Sequence, residues 1–355
     1  MYKKIFMGIA AVAALTLVSC SSDDLNSLSD NSSKNEAISF DGYLGRSAVA
    51  VNGSRGSVLE IADLKTSTDG FGVFGNYNST GGQTFGANLF NNQQVKYSSA
   101  DNKWAYENTK YWPTQGHIDF LAYAPYEGGK TLKDNTSSCI DFTVESEAAN
   151  QKDLLWANAT NQTKANNSGT KKVEFTFNHA LAKIGYTVKL NKDYSNATIT
   201  LNKITLAGSA NGTKNAFYTA GTIDLSKTSS VGLWTTSSSD TKQNFDWFSE
   251  TQPATTITSA STSNPDTKYL FVIPQNFSKT EENADELYVI VEYTINYKTG
   301  EPKTMQNTVC QQIKMNFLQG KAYTINLTIG LTPIEFNADV TGWKDGAKID
   351  DITWN

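Results

Sequence analysis

The sequence predicts an all-β protein built from β-sandwiches. Apolar and polar residues alternate with period two along many short segments, and Gly, Asn, Ser and Asp separate these segments. No convincing amphipathic helix follows Leu17, although a short one is compatible with residues 148–156. Many short antiparallel strands without repeated helical units are typical of two packed sheets.

The first 19 residues have the layout of a secretory signal peptide. Two lysines precede an apolar run over residues 5–17, which ends in small residues and is too short for a stable membrane span. The sequence Leu17-Val18-Ser19-Cys20 resembles the bacterial lipobox, in which the signal is cut before the cysteine and that cysteine is acylated. We therefore predict lipidation at Cys20, because combined acyl chains anchor a protein stably. An ordinary secretory signal with an incidental cysteine is the alternative.

Residues 20–36 are predicted to form a flexible tether, since they are mostly Ser, Asp and Asn and have little to bury. Residues 21–24 resemble the acidic surface-export signals of Bacteroidetes lipoproteins, although any solvated linker has a similar composition. The expected location is therefore the outer membrane, with a lipid anchor and display at the cell surface.

The chain without its signal has 336 residues, which is enough for two domains. The polar stretch 158–170 has no large apolar residue and marks the predicted boundary, so the sandwiches are expected at residues 37–165 and 166–355. The formal net charge is −5, and loss of the two signal lysines makes it −7. This negative charge disfavours nucleic acid as a partner.

Six segments have the clearest alternation and are each predicted to be a strand with one buried and one solvated face. They are residues 117–124, 173–178, 184–190, 287–295, 323–329 and 334–340.

The sequence contains no motif that predicts catalysis, a metal site or a cofactor. His117 and His179 are the only histidines and lack partners at zinc-site spacing, so each is expected to be structural or at the surface. Asp119, Asp141 and Glu174 are expected on solvated strand faces, although glycosidase carboxylates meet in space and not in sequence. We therefore predict a non-enzyme.

Four aromatic residues, Trp104, Tyr106, Tyr111 and Trp112, allow two interpretations. They could form a platform on which sugars stack, or they could pack in a core. Core packing is favoured, because aromatic residues are enriched in strands generally.

Cys139 and Cys310 also allow two interpretations, since each lies in a strand-like segment far from the other in sequence. Two small core residues are favoured over a disulfide. An exported compartment would nevertheless permit the bond.

Arginine is confined to one short window. Among 30 basic residues only Arg46 and Arg55 are arginines, and both follow the predicted tether closely. Such a restriction indicates a specific need for arginine there, with chance as the alternative.

Short segments in a characteristic order give the chain a family resemblance. They are FGVF at 71–74, VKY at 95–97, WAY at 104–106, KYWP at 110–113, DFLAYAP at 119–125, DLLWA at 153–157, FNHALAK at 177–183, LFVIPQ at 270–275, GKAY at 320–323 and VTGW at 340–343. In these segments the chain resembles the fimbrillins, the Mfa-like or FimA-like proteins that build or anchor the type V pili of Bacteroidales.

The resemblance implies two tandem transthyretin-like β-sandwiches and a lipoprotein precursor. It also implies assembly with other fimbrial subunits by strand exchange, after an arginine-specific protease removes the first strand. Arg46 matches the processing position after the strand-like residues 38–44, and Arg55 is the alternative. The expected donor is the carboxy-terminal region, where Ile349, Ile352 and Trp354 are candidate plugs.

A second functional class stays open at this point. The chain could instead be a monomeric surface lipoprotein that binds glycans or host ligands through the same sandwiches. The role within a pilus, whether stalk, tip or anchor, also stays open.

Overall fold

The computed structural model of the protein describes most of the chain after residue 35. The described ranges are 36–44, 61–134, 136–169, 171–237, 241–249, 255–260, 262–263, 269–282, 284–298, 303–331 and 335–342. Within these ranges the protein is nearly all-β, as the sequence predicts, with 24 strands and a single six-residue helix, α1 (Ile61–Thr66). The segment 148–156 contains only the 3-10 turn Ala148–Asn150, and the chain is already a strand at Leu155.

Seven strands form the first sheet. Their bounds are β1 (Phe40–Leu44), β2 (Phe71–Asn78), β3 (Phe90–Ser98), β4 (Lys103–Ala105), β5 (His117–Ala124), β7 (Leu155–Gln162) and β8 (Val173–His179). The strand order is β1-β8-β7-β5-β2-β3-β4, with β1 parallel to β8 and the other neighbours antiparallel. β8 follows the polar stretch that marks the predicted domain boundary, and it pairs with strands on both sides within this sheet.

One face of the first sheet, together with α1, covers an aromatic-rich core. Its buried members are ten aliphatic and eight aromatic side chains: Ile38, Leu64, Val73, Val95, Ile118, Ala122, Ala124, Leu155, Ala157, Val173, Phe40, Phe71, Phe90, Trp104, Trp112, Phe120, Phe175 and Phe177.

β5 is buried on both faces, so the prediction that one of its faces is solvated is wrong. Ile118 and Phe120 belong to the first core, whereas Leu121 and Tyr123 pack into a second, larger cluster. Asp119 is also only 1% exposed, which corrects its assignment to a solvated face. The reason is that β5 lies at the centre of its sheet, and other parts of the chain cover the face that alternation alone assigns to water.

The remaining strands form smaller sheets. Their bounds are β6 (Cys139–Thr143), β9 (Ala182–Leu190), β10 (Ala197–Ala207), β11 (Phe217–Tyr218), β12 (Ala220–Asp224), β13 (Trp234–Thr235), β14 (Lys242–Gln243), β15 (Phe245–Ser249), β16 (Thr255–Ile257), β17 (Thr262–Ser263), β18 (Leu270–Val272), β19 (Gln275–Asn276), β20 (Tyr288–Tyr297), β21 (Lys303–Gln312), β22 (Asn316–Phe317), β23 (Lys321–Ile329) and β24 (Glu335–Gly342). The two larger sheets have the orders β15-β10-β20-β21 and β17-β9-β23-β24. β6 pairs with β12, which also pairs with β13, while β11 pairs with β14 and β19 with β22.

The buried faces of the two larger sheets share one hydrophobic cluster. Ile184 of β9, Ile199 of β10, Val291 of β20 and Ile325 of β23 all belong to it. Sheets that share a core through alternating inward residues are consistent with a β-sandwich. The strands predicted within 184–190, 287–295 and 323–329 are confirmed, whereas the division into two tandem domains stays a prediction.

The two cysteines are free thiols, and the expectation that both are core residues is wrong. Cys139 on β6 is half-buried and Cys310 on β21 is exposed. Cys139 lies on the face of β6 opposite to the buried Ile140 and Phe142, and Cys310 lies on an end strand most of whose residues are exposed.

Candidate strand-exchange site

Residues 36–44, named here the first-strand segment, are hydrogen-bonded to two different parts of the chain. The first half lies beside residues 110–112. The backbone N–H of Ile38 donates to the carbonyl of Lys110 at 2.8 Å, and the N–H of Trp112 donates to the carbonyl of Glu36 at 3.0 Å. The start of the segment therefore pairs with residues 110–112 through backbone hydrogen bonds of the antiparallel β type.

The second half of the first-strand segment is β1, which lies beside β8. The N–H of Val173 donates to the carbonyl of Ser39 at 2.8 Å. The two strands then run parallel from Phe40 opposite Val173 to Leu44 opposite Phe177. The observed strand agrees with the strand-like residues 38–44 of the sequence, and β1 closes the end of the sheet that β8 would otherwise expose.

Two large side chains of the segment point into the first core. Ile38 and Phe40 are each 1% exposed. Burying one such side chain contributes about 1.5–3 kcal/mol, so this pair supplies much of the attachment. The Phe40 ring has its centroid 5.4–5.7 Å from the centroids of four aromatic rings, those of Phe90, Tyr106, Phe120 and Phe175.

Gly42 allows β1 to lie close to the core. A Cβ atom at this position would be 3.3 Å from the Phe177 ring and 3.7 Å from the Phe71 ring. Since 3.3 Å is closer than most real Cβ contacts, a larger side chain would push the strand away from β8.

The hydroxyl of Tyr106 forms hydrogen bonds with the first-strand segment and with the chain beside it. It donates to the carbonyl of Ile38 at 2.7 Å and accepts from the N–H of Lys110 at 3.2 Å. Burial raises the pKa of the Tyr106 phenol above its ordinary value of 10.0, so the donating proton is retained further into the alkaline range. One hydroxyl therefore links the segment at Ile38 to its neighbour Lys110.

The outward side of β1 contributes little to its attachment. The Lys172 ammonium lies 3.6 Å from the Asp41 carboxylate, and a pair of this exposure is worth about 0–1 kcal/mol. Tyr43 is 49% exposed, and the nearby Asp41 charge raises the pKa of its phenol. The segment is thus held by its inward side chains and its backbone.

Removal of the first-strand segment would have two consequences. The backbone of β8 and of residues 110–112 would lose its hydrogen-bond partners, and the rings around Phe40 would be uncovered. An unpaired strand next to an open hydrophobic core is a binding site for another extended chain. The described geometry therefore defines a candidate strand-exchange groove.

The other residues predicted to take part in processing and assembly lie outside the described residues. They are the lipidation residue Cys20, the processing residues Arg46 and Arg55, and the candidate plugs Ile349, Ile352 and Trp354. The described chain ends in β24, which pairs antiparallel with β23 over eight residues from Glu335 to Gly342. This strand agrees with the alternation predicted over residues 334–340.

His117 is buried beside the carboxylate of Asp119, which accepts hydrogen bonds from the backbone of two other parts of the chain. Its Nε2 atom lies 3.3 Å from Asp119 Oδ2. The Asp119 carboxylate accepts the backbone N–H of Thr84 at 2.9 Å and that of Asn161 at 2.8 Å. A buried carboxylate with such partners fixes neighbouring backbone, so this pair has a structural role.

His179 is likewise buried, with Nδ1 at 2.6 Å from Oδ2 of the buried Asp153. This pair lies at the end of β8, where Ala180 N–H donates to the carbonyl of Leu154. Among the described residues, no group of three or more His, Cys, Asp and Glu side chains could hold a metal ion.

The four aromatic residues considered as a sugar platform do not share one surface. Trp104 and Trp112 are 5% and 4% exposed, and Trp104 packs on Phe71 with ring centroids 4.9 Å apart. Tyr111 is 50% exposed, whereas Tyr106 is half-buried under the first-strand segment. Core packing is therefore the observed role of the tryptophans.

Comparison with known proteins assigns the family. The sequence profile of the fimbrillin-like family matches residues 60–343. The chain belongs to the fimbrillin-like family. This fimbrillin-like chain is also 26% identical over 395 residues to the fimbrium subunit Fim1C of Phocaeicola vulgatus, an alignment that covers 96% of this chain and 97% of that protein.

A solved structure supports the fold of this fimbrillin-like protein. A fimbrial protein from Bacteroides vulgatus ATCC 8482 matches it with a TM-score of 0.64 and 22% identity, covering 87% of this chain and 100% of that one. At this level of identity the likeness shows the shared fold. No helix among the described residues has the length and apolar character needed to cross a membrane.

Proposed function

We propose that the protein is a fimbrial subunit that is exported as a lipoprotein through Cys20 and polymerises by strand exchange. In this proposal an arginine-specific protease cuts after Arg46, or alternatively after Arg55, and releases the first-strand segment. The observation that best supports it is the attachment of that segment, which buries Ile38 and Phe40 in the first core yet lies at the end of its sheet, beside β8.

Cleavage after Arg46 would leave the segment bound only by non-covalent contacts. A strand from another subunit could then displace the segment and form the hydrogen bonds to β8 and to residues 110–112 in its place. A large side chain of that strand would fill the space that the Phe40 ring leaves. Before cleavage the segment is part of the same chain as the groove, so its effective concentration there is high and it excludes the strand of another subunit. The covalent connection therefore keeps the precursor monomeric. Proteolysis would therefore act as the trigger for assembly.

The donor is proposed to be the end of the chain after β24, with Ile349, Ile352 and Trp354 as plugs. β24 itself pairs with β23 along its whole length, so releasing it would disrupt a sheet. A donor that begins beyond β24 avoids this cost. The proposal places the protein at the cell surface in a fimbrium, with other fimbrial subunits as partners and a structural role rather than a catalytic one.

The test is substitution of the processing arginines in cells that assemble the fimbrium. Arg46→Ala should block shortening of the chain and abolish the ladder of polymers on a mild-denaturation gel, whereas Lys172→Ala should leave both unchanged. If Arg46→Ala and Arg55→Ala together leave polymers intact, arginine-triggered exchange is wrong, and the monomeric ligand-binding lipoprotein becomes the better hypothesis.

A second variant separates the donor from the groove. Deletion of residues 346–355 should stop polymerisation while the monomer keeps its melting temperature, because β24 remains paired with β23. Normal polymers from the deletion variant would exclude the carboxy-terminal end as the donor.

A further inference from the structure

β21 has an unpaired edge over its entire length. It has ten residues and lies at the end of the sheet β15-β10-β20-β21. It pairs with β20 in an unbroken register from Tyr288 opposite Gln312 to Tyr297 opposite Lys303, without a bulge. No strand among the described residues pairs with its other edge. A long, regular edge of this kind presents a row of free backbone donors and acceptors.

Along β21 the only charged side chain is that of Lys303, the first residue of the strand. Residues 304–312 carry no charged side chain, and most of the strand is exposed. Every other described end strand longer than three residues includes an acidic residue, namely Asp41 in β1, Asp141 in β6, Asp246 in β15 and Asp339 in β24. Charges on edge strands oppose pairing with another chain. β21 is therefore the one described edge of this length that is left open to pairing.

We propose that β21 pairs antiparallel with β21 of a second copy of this chain, around a two-fold axis at Asn307. A two-fold axis perpendicular to the sheet keeps each side chain on its own face, so facing residues must be separated by an even number. With the axis at Asn307, Met305 of each copy faces Val309 of the other. These are the apolar residues of the strand apart from Cys310, and Met305 is 38% exposed before pairing.

In the same register, the residues on the other face of β21 also pair with uncharged partners from the second copy. Gln306 faces Thr308, and Thr304 faces Cys310, so each contact joins uncharged side chains. The two Asn307 amides face each other across the axis, and an amide can both donate and accept. Neutral cross-strand pairs place no like charges directly opposite each other, which would destabilise the pairing. The strand thus complements itself, which favours a second copy over an unrelated partner.

This association does not depend on strand exchange, because β21 lies in a different sheet from β1. It joins chains side by side through one closed interface. The experiment therefore uses the uncleaved full chain with Cys20→Ala, which removes the proposed lipid anchor, and with Cys139→Ala, which removes the second described thiol.

Thiol cross-linking tests the register. In this background Thr304→Cys should give a covalent dimer through Cys310 of the partner copy on treatment with a short thiol cross-linker. The matched control is Thr143→Cys, an exposed threonine on β6, which should stay monomeric under the same treatment. Cross-linking through Cys310 alone, without Thr304→Cys, would move the axis to Cys310 and overturn the proposed register.

A charge on the edge tests the association itself. Sedimentation equilibrium should show a reversible dimer, and Thr308→Lys should raise its dissociation constant about tenfold or more, because two lysines would then lie beside the axis. Thr143→Lys should change it by less than about twofold, since an exposed charge elsewhere has little effect. Circular dichroism should confirm that both variants keep the strand content of the parent. A parent chain that stays monomeric throughout, or a dimer that Thr308→Lys leaves unchanged, would overturn the proposal.

Discussion

Replacing Phe40 by alanine should loosen the first-strand segment while the rest of the protein stays folded. The ring is 1% exposed and lies among four aromatic rings, so its removal takes away the largest inward side chain of the segment. Substitution of a buried phenylalanine by alanine costs about 3–5 kcal/mol. Because β1 lies at the end of its sheet, most of this cost should appear as local detachment of the segment.

Hydrogen exchange at two amides measures that detachment. Val173 and Trp112 donate their N–H groups to carbonyls of the segment, at 2.8 and 3.0 Å. Each tenfold change in an equilibrium corresponds to about 1.4 kcal/mol, so both amides should exchange about 100-fold faster or more in the uncleaved Phe40→Ala chain. Amides at the centre of β23 should keep their exchange rates, since they lie in another sheet.

The matched control is Tyr43→Ala on the same strand. Tyr43 is 49% exposed, so its removal should change exchange at Val173 by less than about threefold. Equal effects of Phe40→Ala and Tyr43→Ala, or no effect of either, would refute the argument that inward packing holds the segment.

Three further predictions concern stability and reactivity. Asp119→Ala should lower the free energy of unfolding by about 2–4 kcal/mol in urea, because two backbone N–H groups lose their acceptor; a loss below 1 kcal/mol would show that the carboxylate is dispensable. Burial raises the pKa of Tyr186 from 10.0 to about 12, so the unfolded chain loses this proton first and stability should fall as the pH rises through this range. Tyr186→Phe should therefore reduce the fall in the free energy of unfolding between pH 10 and pH 12 by about 1–3 kcal/mol. An unchanged pH dependence of stability would contradict the raised pKa of Tyr186. In the native protein Cys310 should react with a maleimide faster than Cys139, and the reverse order would contradict their observed exposure.

The strands themselves were predictable where one face packs and the other meets water. Along β23 the inward residues Tyr323, Ile325, Leu327 and Ile329 are buried, as the alternation predicts. β5 was not predictable in this way, because period two identifies the two faces of a strand but not whether a second layer covers the polar one. Asp119 illustrates the error, since its acceptors are satisfied by backbone from distant loops.

The candidate groove was predictable only in part. The sequence shows that residues 38–44 form a strand and that Arg46 follows it, but pairing partners are long-range and leave no local pattern. The bonds of the first-strand segment to Lys110 and Trp112, and the hydroxyl of Tyr106 beneath it, therefore required the structure. The sequence allows Tyr106 a place in a sugar-stacking platform, whereas its hydroxyl donates to the carbonyl of Ile38.

The amino terminus of the protein in assembled fimbriae tests the central claim most directly. Polymers isolated from cells should be dissociated and their subunits sequenced from the amino end or measured by intact mass. Removal of the first-strand segment predicts a chain that begins at Ser47, or at Gly56 if Arg55 is used. Polymerised subunits that begin at Cys20 and retain residues 36–44 would contradict the account.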